Sequence, residues 1–94
     1  MSAVIEGAVK ALGARISSFD GSAKFVVEGE GAIMIDDRGV RAGDEPAEVT
    51  LTASRDTFEG IMNGDTNPTM AYMSGKLKID GSLPAAMKLG AALS

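Results

Sequence analysis

The chain has 94 residues and a formal charge of −4, with thirteen acidic and nine basic side chains and neither cysteine nor histidine. These counts exclude a disulfide framework, a thiolate metal site and a thiol nucleophile, and they remove the usual neutral-pH general base. With three Phe, one Tyr and no Trp, the acidic chain also lacks the basic stripe and stacking platforms of a nucleic-acid binder.

No apolar run approaches the roughly 18 residues of a membrane span. Glu6, Lys10 and Arg15 interrupt the apolar stretches near the N-terminus, so no signal peptide is expected and the expected location is cytoplasmic. Size scaling gives roughly 5,000 Å² of folded surface and one core two layers deep, so residues 1–94 are expected to form a single domain.

Residues 3–17 read as a helix with Val4, Ala8, Ala11, Leu12 and the stem of Arg15 on one stripe. Ser22–Glu28 reads as a strand with Phe25 and Val27 on one face, and Gly29-Glu30-Gly31 as a turn. Ala32–Asp36 follows as a strand with Ile33 and Ile35 on one face. Asp36-Asp37-Arg38-Gly39 is a tight-turn sequence leading to a short strand near Val40-Arg41. Ala47–Ala53 and Lys76–Asp80 alternate with a period of two and one wet face.

Three helical segments supply the second layer. Ser54 is an N-cap, Asp56 favours the first turn and Gly64 suits the C-terminus of a helix whose apolar side is Phe58, Ile61 and Met62. Asn67-Pro68 starts a short helix carrying Met70, Ala71 and Met73, which Gly75 stops. Ser82 caps a terminal helix, Leu83 to Leu93. Strands wet on one side need helices on the other, which predicts an α+β layer pair with a mostly antiparallel sheet.

Two features carry functional meaning. The terminal helix has Lys88 as its only charge and is apolar nearly all round. It is either an alanine-rich tail that tolerates exposure or a helix needing cover on a second side. Met62, Met70, Met73 and Met87 lie on three successive helices; methionine fills irregular space and lines adaptable apolar surfaces. The pairs Asp36-Asp37 and Asp44-Glu45 fit neither paired-carboxylate catalysis nor a calcium loop, and read as turn and solubility residues. Gly29-x-Gly31 precedes a strand, against a dinucleotide site. Gly60-x-x-x-Gly64 reads as a closely packed small residue followed by a C-cap. Serines without histidine form no familiar triad.

The run Phe58-x-x-Ile61-Met62-x-Gly64-x-x-Asn67-Pro68-x-x-Ala71-Tyr72-Met73-Ser74-Gly75-Lys76-Leu77-Lys78-Ile79-x-Gly81, followed by Ala86-Met87-Lys88-Leu89, resembles the sterol carrier protein type 2 family, the nonspecific lipid-transfer proteins. Gly75-Lys76-Leu77-Lys78-Ile79 and Met87-Lys88-Leu89 are the most telling parts. The likeness weakens toward Lys10, and the compact chain is most similar to stand-alone bacterial members. The resemblance implies a five-stranded sheet with helices on one face and an apolar tunnel between the layers, which holds fatty acids, acyl-CoA, phospholipids or sterols. The last residues, Ala92-Leu93-Ser94, are no peroxisomal tripeptide, so no such address is expected.

The expected function is therefore a non-enzymatic carrier that holds one acyl chain, with sterol less expected than fatty acid, acyl-CoA or phospholipid. Its lining is expected to be Ile33, Leu51, Phe58, Ile61, Met62, Met70, Met73, Leu83, Met87 and Leu93, with Lys88 at the head group. No cofactor or metal is expected, transient membrane contact fits the role, and a monomer is expected. The alternative is a protein-interaction or dimerisation accessory module using the same apolar surface.

Overall fold

The computed structural model describes residues 3–16 and 18–93, with Leu93 described by its backbone alone. Ser17, at the expected end of the first helix, lies outside the described residues. Helix α1 (Ala3–Arg15) leads into β1 (Ser22–Val27), β2 (Gly31–Asp36) and β3 (Gly39–Ala42). Strand β4 (Val49–Ala53), helices α2 (Arg55–Asn63) and α3 (Pro68–Met73), strand β5 (Leu77–Gly81) and helix α4 (Leu83–Leu93) complete the chain. The sheet order is β3-β2-β1-β4-β5. β1 and β4 run parallel, while the other neighbours are antiparallel. The architecture is thus the expected α+β pair of layers, with a mostly antiparallel sheet.

Alternation decides which sheet face meets the helices. Ala23, Phe25 and Val27 of β1 lie beside Ile33 and Ile35 of β2 and beside Val49, Leu51 and Ala53 of β4. All eight are buried, and Leu77 with the half-buried Ile79 extends the face along β5. α1 covers it from the β2–β3 side, while α4 crosses β1, β4 and β5. Phe58 of α2 meets Phe25 edge to face, with ring centroids 4.8 Å apart, a geometry favoured by the ring quadrupoles.

The phase of α1 differs from expectation. Ile5, Ala8 and Leu12 are its buried residues, and Ile16 continues the row; Val4 is half-buried and Ala11 exposed. The bulkier branched residues win the inward position because they remove more apolar surface from water. Ile5 lies against Gly31, where an added Cβ would be 3.3 Å from Ile5 Cγ1.

The expected helix signals operate as read. Ser54 Oγ accepts from Thr57 N, Asn67 Oδ1 from Thr69 N and Met70 N, and Ser82 Oγ from Ala85 N. Gly64 takes the left-handed conformation at φ 84° and closes α2. At Gly81 (φ 109°), opposite Val49, a Cβ would collide with the Glu48 carbonyl oxygen. Only glycine lets Ser82 N reach that carbonyl at 2.9 Å and turn the chain from sheet to helix layer.

The far face of the sheet is not simply wet. The connection from β3 to β4 passes over it, and Met34 beneath is 2% exposed. Gly43 sits on Met34, Lys24 pairs with Asp44 at 2.8 Å, and Arg41 pairs with Glu45 at 3.5 Å. Asp36 is buried, accepting from Arg38 N at 2.9 Å and Arg41 Nη1 at 2.9 Å. Asp36 therefore anchors the β2–β3 turn and its strap; it is not a solubility residue.

The Arg41 hydrogen bond, with help from the Arg38 amide and the two guanidinium charges, holds the Asp36 carboxyl below its ordinary value of 3.8 despite the opposing effect of burial. A depressed carboxyl adds stability that is fully present above the unfolded value and is lost as pH falls through the lower folded value. Asp36→Asn is therefore expected to lower the melting temperature at neutral pH. It should also flatten the acid limb of the stability curve below about pH 4, as read by thermal denaturation across a pH series.

Candidate functional site

The helical layer meets itself through small residues. Ala3, Gly7 and Ala11 recur every four residues on one side of α1 and face Phe58, Glu59 and Met62 of α2. Between them lies an open cavity of about 380 Å³, mostly apolar, with Val4 and Ala8 also in its wall. Glycine and alanine cannot reach across such a seam, so the helices stand apart although both are anchored to the sheet.

A second open cavity, of about 780 Å³, lies on the other side of α2, where the helix ends meet. Arg15, Ile61, Asp65, Thr66, Pro68 and Ala92 are among its lining residues, and it is as polar as it is apolar. Gly60 shapes it: the Gly60 carbonyl accepts from Asp65 N at 2.9 Å and Thr66 N at 3.0 Å, and a Cβ there would strike Thr66 Oγ1. The glycine read as closely packed therefore lets the α2–α3 loop fold back over its helix. Arg15 Nη2 donates to the Met62 carbonyl at 3.1 Å and ties the end of α1 to that of α2.

The expected lining residues separate into three groups. Phe58 and Met62 wall the first cavity and Ile61 the second. Ile33 and Leu51 are buried in the core between sheet and helices and border neither. Met70, Met73, Leu83 and Met87 are exposed by 65%, 76%, 51% and 76%, so they enclose nothing in this conformation. The Leu93 side chain lies outside the described residues. Lys88 is largely exposed, pairs with Asp20 at 3.4 Å and borders neither cavity.

The small-residue stripe of α1 and the loop at 64–68 were missed as site elements. The signal for the first was present in the fourfold spacing of Ala3, Gly7 and Ala11. The second depended on a fold-back that no local pattern announces.

Chemically, the site offers apolar walls with one cation near a polar end. No buried side-chain nitrogen or oxygen lacks a partner among the described residues. No helix among them is long and apolar enough to cross a membrane.

This layout, a five-stranded sheet under a helical layer with an open apolar seam, defines a class of small two-layer α+β folds. The chain belongs to the SCP-2 sterol transfer family, whose family model matches residues 3–94. It is 38% identical over 82 residues to hydroxysteroid dehydrogenase-like protein 2 of Xenopus laevis, a match covering 79% of this chain and 20% of that protein. The chain spans a fifth or less of the curated relatives it matches.

Among solved structures, the sterol carrier protein domain 2 of Helicoverpa armigera is 26% identical with a TM-score of 0.75. That alignment covers 96% of this chain and 85% of that one. Sterol Carrier Protein-2 of Aedes aegypti, solved in complex with the C16 fatty acid palmitate, is 19% identical with a TM-score of 0.78. It covers 100% of this chain and 97% of its own, and shows the shared fold.

Open space surrounds the Cβ position of Gly7: apart from the backbone of its own helix, nothing lies within 4 Å. Gly7→Ala is expected to stabilise the chain by about 0.5–1 kcal/mol through the lower entropy of the unfolded state. Gly7→Leu should fill the seam and reduce the fluorescence of an added apolar dye such as anilinonaphthalene sulfonate. Thermal melts and dye titration check both.

Proposed function

We propose that this chain is a non-enzymatic lipid carrier, acting as a cytoplasmic monomer, that holds one acyl chain along α2. Fatty acid, acyl-CoA and phospholipid are the proposed cargo, ahead of sterol. The observation that supports this most is the apolar cavity between the small-residue stripe of α1 and the Phe58–Met62 wall of α2. It occurs in a chain matched from residue 3 to 94 by a sterol transfer family. Palmitate bound to the Aedes aegypti relative of the same fold points the same way.

The energetics suit reversible carriage. Each buried methylene contributes about 0.8 kcal/mol, so a tail of about fourteen gives roughly 11 kcal/mol gross. Association and ordering costs reduce this to micromolar affinity or somewhat tighter. The driving force is non-directional, so chain length matters more than detailed shape. The tail would lie against Phe58, Ile61 and Met62, with the head toward the polar cavity at the helix ends, where Arg15 is the basic lining residue. Because α2 separates the two cavities, a small displacement of this nine-residue helix would join them into one channel.

Native mass spectrometry of gently purified protein is expected to show a monomer carrying fatty acid or phospholipid. Palmitate titrated into delipidated protein should raise the melting temperature. Met62→Glu, at a half-buried position, is expected to weaken palmitate binding at least tenfold by placing a charge in the apolar seam while leaving the circular dichroism unchanged. An apo dimer with no thermal response to palmitate or palmitoyl-CoA would overturn the proposal in favour of an interaction module.

A further inference from the structure

Polarity is distributed unevenly around the open seam. On the α1 side its exposed rim is Ala3, Gly7 and Ala11, which carry no polar side-chain atom. On the α2 side two rows face it. Phe58 and Met62 form the inner row, buried and half-buried, and Glu59 and Asn63 form the exposed outer row, one turn apart. Among the described residues, Glu59 is thus the one charged side chain that lines this cavity.

Its charge is only loosely offset. Arg55 Nε lies 4.0 Å from Glu59 Oε1, with both side chains about half exposed, and so open an ion pair contributes little. Arg55, Glu6 and Lys10 border neither cavity. The second cavity differs. Arg15 and Asp65 line it, one charge of each sign, and Arg15 is the only cation bordering either cavity among the described residues.

An acyl chain has two unlike ends, and these walls treat them differently. With the head at Arg15 and the tail passing α2, the far end comes to rest on Phe58 and Met62, beside Glu59. A methyl group there is covered by apolar wall. A carboxylate there has two poor choices. It gives up water against the apolar floor, or it turns to the rim and meets the like charge of Glu59. The reversed chain fares no better, because its head would lie beside Glu59 with no lining cation to offset it. A repulsive group set against the wrong ligand is a general source of specificity.

We propose that Glu59 gives the lipid site its direction. It keeps anionic groups out of the α1–α2 seam, so the ligands are acyl chains with one anionic end and an uncharged far end, bound with the anionic end toward Arg15. Chains that are anionic at both ends are rejected. This inference rests on the carrier reading and adds a determinant of which chains the site accepts.

Titration calorimetry of the delipidated full chain with three C16 ligands provides the test: hexadecanoic acid, 16-hydroxyhexadecanoic acid and hexadecanedioic acid. The hydroxy acid reports the cost of a neutral polar far end, so its ratio to the diacid isolates charge. Wild type is expected to bind the diacid about tenfold more weakly than the hydroxy acid. In Glu59→Gln that gap should close by about fivefold, and in Glu6→Gln it should stay as in wild type. Added salt should narrow the gap in wild type and leave it unaltered in Glu59→Gln. Direction is read independently from stearate carrying a nitroxide at carbon 16 or carbon 5. The first should broaden the amide signals of Gly7 and Glu59, the second those of Arg15 and Asp65.

A diacid bound as well as the hydroxy acid, a gap that Glu59→Gln leaves in place, or the opposite broadening pattern would overturn the role of Glu59 while the carrier reading stands. Absence of binding by all three ligands would sink the carrier reading and this inference with it.

Discussion

The structure depends on a mismatch of side-chain size between two helices that are each anchored to the same sheet. α1 is held through Ile5, Leu12 and Ile16, and α2 through Phe58 and Ile61. Where the two helices face one another, α1 offers alanine and glycine. Sheet contacts fix the helix positions, and the small residues cannot close the distance between them. Close packing is the rule in protein interiors, so a gap kept open by anchored walls is the feature on which the proposed carriage rests.

The sheet supplies the rigidity this requires. Its helix-facing side is filled without interruption from Ile35 through Phe25 and Leu51 to Leu77. Its far side is held by the β3–β4 strap over Met34, with Asp36, Arg41, Lys24 and Asp44 linking strap to strands. Gly81 sets the departure of α4 by letting the chain pass close to Glu48 and Val49. The closely packed part of the molecule and the open seam therefore lie in different layers, a division that suits the proposed carrier.

Much of this was legible in the residues themselves. Alternation in Ala47–Ala53 and Lys76–Asp80, and the caps at Ser54, Asn67 and Ser82, place elements because period and capping act locally. The phase of α1 was misread because Val4 and Ile5 are adjacent and only the competition for a finite core chooses between them. Asp36 was misassigned for a related reason: its partner Arg41 is brought to it by the pairing of β2 with β3, which the turn sequence alone does not show. The methionines divide similarly. Met62 borders a cavity, while Met70, Met73 and Met87 stand outside, since helical spacing gives a stripe but not what the stripe faces. The family motif between Phe58 and Leu89 spans both kinds of position, so it marks membership rather than lining.

The most direct test of the open α1–α2 seam as the ligand's place is a palmitate titration followed in two-dimensional amide NMR spectra of the labelled chain. The account predicts shifts concentrated at residues 3–11 and 58–68, with the β2–β3 hairpin and its strap unmoved. Unchanged spectra, or shifts confined to α3 and β5, would contradict it.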